Sequence, residues 1–133
     1  MAKKIIVIDD EKIVGDMAKK ILQAEGYEVD AFIDSQVALE AIRAQRYDLV
    51  ITDLKMPLVD GMDLIDIVKK INAALPIIII TAYGTIETAE EAIQKGAYDF
   101  ITKPFRKETI LITIRRALEW KRMQGELAEL KKG

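Results

Sequence analysis

Residues 5–10 read Ile5-Ile6-Val7-Ile8-Asp9-Asp10, four β-branched apolar residues in a row that stop at two carboxylates. A strand with one wet face alternates apolar and polar side chains. A run that is apolar on both sides is covered on both faces, as central strands of parallel sheets are. Leu49-Val50-Ile51 and Ile77-Ile78-Ile79-Ile80 read the same way. Working outward, five extended runs are expected, over Ile5 to Asp9, Tyr27 to Phe32, Asp48 to Asp53, Ile77 to Thr81 and Tyr98 to Thr102. Helical spacing separates them: Ile13, Val14, Met17, Ala18, Ile21 and Leu22 recur at three and four, as do Leu64, Ile65, Val68 and Ile71. Gly26 and Gly96 stand where helices should stop, and Ser35 and Thr85 where they should start. Five strand–helix repeats predict an α/β fold, a doubly wound five-stranded parallel sheet with helices on both faces. In contrast with the central runs, Glu28-Val29-Asp30-Ala31 alternates and fits an edge strand.

Composition narrows the chemistry. The 133 residues, half of them apolar, suffice for one domain with a two-sided core. There is no cysteine and no histidine. Disulfides, thiolate or zinc–histidine sites, cysteine nucleophiles and histidine bases are therefore excluded, leaving carboxylates, hydroxyls, lysine and a hard metal ion. The four apolar residues after Met-Ala-Lys-Lys are too few for a signal peptide, and no stretch reaches the roughly 18 apolar residues of a membrane helix. The expected address is the cytoplasm, with no membrane partner. Net charge is −2, but residues 103–133 carry nine Lys/Arg against four Asp/Glu, leaving −7 on residues 1–102. No nucleic-acid recognition motif accompanies the basic tail, so it is read as a solvated helix face and no direct nucleic-acid binding is expected.

The chemistry collects at the carboxyl ends of the strands, where open α/β sheets place their ligands. Asp9 and Asp10 end the first strand, Asp53 the third, Thr81 the fourth, and Lys103 follows the fifth. Singly, each has an ordinary reading as a cap or a solvated side chain; jointly they form a set. Three carboxylates within a few ångströms repel and need a cation. Mg²⁺ takes octahedral oxygen ligands and commonly keeps open positions, so Asp10, Asp53 and a nearby backbone carbonyl would leave room for a phosphoryl donor. Asp53 is then the candidate nucleophile, Lys103 the neutralising cation and Thr81 a hydrogen-bond donor to the phosphoryl group.

Four segments carry a resemblance: Val7-Ile8-Asp9-Asp10-Glu11; Ile51-Thr52-Asp53-Leu54-Lys55-Met56-Pro57 with Asp60-Gly61; Ile80-Thr81-Ala82; and Gly96-Ala97-Tyr98-Asp99-Phe100-Ile101-Thr102-Lys103-Pro104-Phe105. Over about residues 3–120 they closely resemble the response-regulator receiver family, CheY-like in fold, and the run from Gly84 to Phe105 is most similar to receivers of the nitrogen-regulatory (NtrC) class of two-component transcriptional activators. The resemblance implies the flavodoxin-like (βα)5 strand order 2-1-3-4-5, with which an edge position for the second strand agrees. It implies Asp53 as phosphorylation site, Asp9 and Asp10 as acidic pocket with Asp53 and the Lys55 backbone carbonyl completing the Mg²⁺ ligands, Thr81 and Phe100 as a switch pair, and a cis Lys103-Pro104 peptide. It further implies that a sensor histidine kinase or histidine phosphotransfer protein supplies the phosphoryl group, and that the surface of the fourth helix, fifth strand and fifth helix responds, controlling an output domain or partner. Phenylalanine at 100 lacks the hydroxyl that tyrosine often supplies there in the family.

Other classes fit less well. Metal-dependent phosphatases with an aspartyl nucleophile on a similar fold usually carry a second Asp two residues on; position 55 is Lys, which argues against turnover. A phosphate-independent interaction domain leaves the Asp/Thr/Lys set without a role. No GxxxxGK[ST] pattern supports a P-loop. Lys55 and Tyr83, each two residues past a site residue, could shield the acceptor from water or be ordinary surface side chains. Residues 1–120 are expected to form the receiver domain and 121–133 a helical extension or linker continuing the fifth helix. There Trp120, Met123, Leu127 and Leu130 make a short apolar seam that could pair two chains or lead to an output domain.

Overall fold

The computed structural model describes residues 2–82 and 84–132. Five strands, β1 (Lys4–Ile8), β2 (Glu28–Phe32), β3 (Leu49–Thr52), β4 (Ile77–Thr81) and β5 (Asp99–Thr102), alternate with five helices, α1 (Lys12–Ala24), α2 (Ser35–Ala44), α3 (Gly61–Ile71), α4 (Ile86–Lys95) and α5 (Lys107–Lys132). All pairings are parallel, and the strand order is β2-β1-β3-β4-β5. The expected doubly wound sheet is therefore present, with β2 at an edge.

Alternating side chains of the central strands build two cores. Ile6, Ile8, Val50, Ile77 and Ile79 pack with Leu39 of α2, Leu64 and Ile65 of α3, and Ala92 of α4. Ile5, Val7, Leu49, Ile51 and Ile78 pack with Leu22 of α1 and with Ile110 and Ile114 of α5. Burying one such aliphatic side chain contributes about 2 kcal/mol, which is why these strands are apolar on both faces until Thr52 and Thr81 at their carboxyl ends.

The helix boundaries hold one correction. Asp34, not Ser35, caps α2: its carboxylate accepts from the Gln36 and Val37 amides at 2.8 and 3.3 Å. Ser35 lies inside the helix, buried, its hydroxyl donating to the Pro57 carbonyl at 3.3 Å. Thr85 caps α4 in a reciprocal arrangement with Thr88, and Gly96 ends that helix at φ 118°. Gly26, at φ 91°, follows the α1 C-cap residue Glu25.

Candidate phosphoacceptor site

The sheet's own hydrogen bonding sets the positions of the site residues. The parallel ladder continues one step past each strand: the Asp9 amide donates to the Phe32 carbonyl at 3.0 Å, Asp53 to Ile8 at 2.9 Å, and Lys103 to Thr81 at 2.8 Å. Residues scattered over 94 positions are thereby held at one edge by backbone bonds, before any side chain meets another.

The side chains then converge. Lys103 Nζ lies 2.8 Å from Asp53 Oδ2 and 2.9 Å from Asp9 Oδ2, with Glu11 Oε1 at 4.0 Å. The second oxygens are also engaged: Asp53 Oδ1 accepts from the Leu54 amide at 2.6 Å and Asp9 Oδ1 from the Glu11 amide at 2.9 Å. Asp9, Asp53 and Thr81 are buried, while Asp10 is exposed. One carboxylate oxygen from each of Asp9, Asp10 and Asp53 lies within 4.8 Å of the others.

Electrostatics follow from this crowding. Burial is the largest influence on Asp9 and pushes its carboxyl above the usual range, despite the opposing Lys103 and Glu11 hydrogen bonds. Burial also works against the Lys103 ammonium, but its bonds to Asp53 and Asp9 outweigh that and raise its pKa, so it stays charged. Three acids against one lysine leave surplus negative charge around an all-oxygen donor set, which suits a hard divalent cation. Asp10, Glu11, Asp53, Lys55, Met56 and Pro57 line an open cleft of about 500 Å³ above it.

The structure brings Asp9, Asp10, Asp53 and Lys103 together, and places Thr81, fully buried, at the end of the strand next to β3. Lys55 reaches the rim of the cleft. Tyr83 lies outside the described residues. Phe100 is half-buried, lining a groove with Ile86, Ala89 and Ile93 of α4. Its ring is abutted by Gly84, where a Cβ would stand 2.8 Å from Phe100 Cε1. The Lys103-Pro104 peptide is cis.

Three features escaped the sequence reading. Glu11 serves the site through its backbone amide as well as its carboxylate, and only its place beside Asp9-Asp10 marked it. Gly61 opens α3 against the Asp53 carbonyl, where a Cβ would lie at 2.6 Å; the Asp60-Gly61 pair was legible as a motif but not as a contact. Leu58 adopts φ 69° in the β3–α3 loop, unusual for a bulky residue, and nothing in its neighbours signals it.

The chain matches the family described as "Response regulator receiver domain" over residues 5–115. It belongs to that family. Among its relatives, the nitrogen assimilation regulatory protein NtrX of Azorhizobium caulinodans is 40% identical over 133 residues, covering 98% of this chain and 29% of that protein. A crystal structure of NtrX from Brucella abortus in complex with ATP superposes with a TM-score of 0.92 at 39% identity, over 98% of this chain and 30% of that one. A CheY-like receiver domain protein from Methanospirillum hungatei gives 0.89 at 27% identity, over 93% and 99%. The receiver is thus of the NtrX/NtrC type, a signalling domain, and the chain spans less than a third of the length of the NtrX proteins it matches. Among the described residues no helix is long and apolar enough to cross a membrane.

Proposed function

We propose that this receiver domain takes a phosphoryl group onto Asp53 from a histidine of a sensor kinase or histidine phosphotransfer protein, in a Mg²⁺-dependent reaction, and answers by changing its α4–β5–α5 surface to control an output domain or partner. The observation that carries this reading is the Lys103 ammonium bridging buried Asp53 and Asp9 with Asp10 beside them at the sheet's carboxyl edge. In the transfer an Asp53 carboxylate oxygen bonds to phosphorus as the phosphorus–imidazole nitrogen bond breaks, and the donor histidine leaves neutral once it takes a proton. Asp9, Asp10, Asp53 and the Lys55 backbone carbonyl would hold Mg²⁺, which when bound supplies charge balance and a ligand position for a phosphoryl oxygen. Lys103 neutralises another phosphoryl oxygen, and the Thr81 hydroxyl donates to a third.

The added charge, nearly two units, is the signal. Thr81 drawn toward the phosphoryl group makes room for the Phe100 ring, and because Gly84 packs on that ring the β4–α4 loop moves with it. The domain is a phosphoacceptor that assists its own phosphotransfer and dephosphorylation, without the second aspartate at position 55 that turnover would use. Its proposed address is the cytoplasm. Residues 1–120 form the receiver and 121–133 an extension toward an output domain or a second copy.

Intact mass after incubation with Mg²⁺ and acetyl phosphate tests the reading. One phosphoryl group is expected on the parent and none on Asp53→Ala or on the parent in EDTA; uptake by Asp53→Ala would overturn it. The lifetime of the modified form supplies a second check. Lys55, at the cleft rim, is placed to hinder the in-line approach of water, and Tyr83, two residues past Thr81 in sequence, is the second expected shield, so replacing both with alanine should speed loss of the phosphoryl group severalfold. An unchanged half-life would show that neither side chain shields the acceptor.

A further inference from the structure

Helix α5 spans 26 residues, about 39 Å, and among the described side chains its last fully buried residue is Ala117. One turn later, at the amino-terminal edge of the sheet and far from the phosphoacceptor, it is gripped from two sides. On one side the Trp120 ring lies 5.9 Å from the Tyr98 ring at the head of β5, and Lys69 Nζ of α3 sits 5.5 Å from the Trp120 ring centroid. On the other, Lys121 Nζ lies 3.4 Å from Asp48 Oδ1, both side chains only 18% exposed. The other Asp48 oxygen accepts from the Lys4 amide of β1 at 2.8 Å. Beyond this point Met123, Leu127 and Leu130 are exposed, and Arg122 pairs along the helix with Glu119 and Glu126.

Lys69 is the unusual member. Among the described residues no carboxylate accepts from it; its ammonium donates to the Ala73 and Leu75 carbonyls at 3.2 Å each. Burial pushes its pKa down, the setting in which a cation gains most from an aromatic face. Its stem runs beneath Gly96, where an added Cβ would stand 3.2 Å from Lys69 Cε. One side chain therefore touches the ends of α3 and α4, the α3–β4 loop and α5.

We propose that Lys69, Tyr98 and Trp120 on one side and Asp48 and Lys121 on the other form a two-sided clamp that makes the end of α5 a rigid lever, its direction set by the end of α4 and the start of β5. The device gives the apolar seam of Met123, Leu127 and Leu130 a fixed orientation against the body. Lys69 acts as a positioning residue, passing displacement of α4 or β5 to Trp120. The clamp exists before any phosphoryl transfer, so it stands apart from the reading of Asp53.

Because the chain has no cysteine, two spin labels can be placed at will. Glu40→Cys on α2 and Glu129→Cys on α5 are both exposed, and their distance distribution, measured with labelled protein diluted into unlabelled, reports the lever. A narrow distribution is expected in the parent and with Lys69→Arg, which keeps the cation. Lys69→Met, which keeps the stem, and Asp48→Asn should each widen it about twofold or shift its mean. A broad parent distribution, or both variants as narrow as the parent, would overturn the proposal. Should Asp48→Asn fail to fold by circular dichroism, Lys69→Met decides alone.

Discussion

Lys103→Met is expected to lower the stability of the Mg²⁺-free domain by about 3 kcal/mol and to slow phosphoryl uptake by about 10²- to 10³-fold. The first effect follows from burial. Asp9 and Asp53 are 4% and 3% exposed, and their shared cation is the Lys103 ammonium at 2.9 and 2.8 Å. Without it, two like charges face each other in a poorly solvated place with no cation between them. The second effect follows from the proposed transfer, in which the same ammonium would face the charge that develops on the phosphoryl oxygens. Urea unfolding in EDTA and in Mg²⁺ separates the two, since divalent cation should restore much of the lost stability but little of the rate. Equal stability in both media, with uptake at the parental rate, would show that Lys103 neither balances the acids nor assists transfer.

Gly61→Ala is expected to cost about 3 kcal/mol by overpacking, which lowers Tm by about 10 °C for a domain of this size, and to impair uptake on Asp53. A Cβ at Gly61 would lie 2.6 Å from the Asp53 carbonyl oxygen and 2.8 Å from Leu54 Cα. Both are backbone atoms, so no rotamer change relieves the clash. The Gly61 amide also donates to the Leu54 carbonyl at 2.7 Å, tying the first turn of α3 to the loop that follows Asp53. Gly15→Ala is the internal contrast, because nothing lies within 4 Å of a Cβ there. In the interior of α1 the same methyl should stabilise by about 0.5–1 kcal/mol. Thermal unfolding of both variants checks the pair; similar Tm values would mean that the α3 approach to Asp53 is not tight.

Particular elements show what could be read in advance. The runs at Ile5, Leu49 and Ile77 announced themselves as central strands because a parallel sheet covered on both faces accepts only apolar residues there. The β4 bounds, Ile77–Thr81, coincide with the expected run, whereas β1 begins one residue earlier, at Lys4, and β5 one residue later, at Asp99. Helix α1 shows a limit of periodicity. Ile13, Val14, Met17, Ala18, Ile21 and Leu22 do recur at helical spacing, yet Ile13 is 84% exposed while Gly15, Ala18 and Leu22 are buried. Spacing fixes the angles between side chains on a helix; the surface it packs against fixes which angle points inward. Asp34 and Ser35 illustrate the same limit for caps: both residue types suit the position, and the burial of Ser35 near Pro57 decided between them.

For the site, residue types at strand ends were legible in one dimension because a parallel sheet delivers every strand's carboxyl end to the same edge. Strand pairing then reduces Asp9, Asp10, Asp53, Thr81 and Lys103 to neighbours, and the motifs they sit in marked them as a set. By itself the sequence therefore determined the sheet, its two cores and the family. Only tertiary structure decided that Lys103 bridges Asp9 and Asp53, that Gly61 presses on the Asp53 backbone, and that Lys69 meets Trp120. The two lysine contacts join residues 50 or more positions apart, while Gly61 lies only eight residues from Asp53; all depend on distances of a few ångströms set by how helices settle on the sheet, and no local pattern encodes that settling.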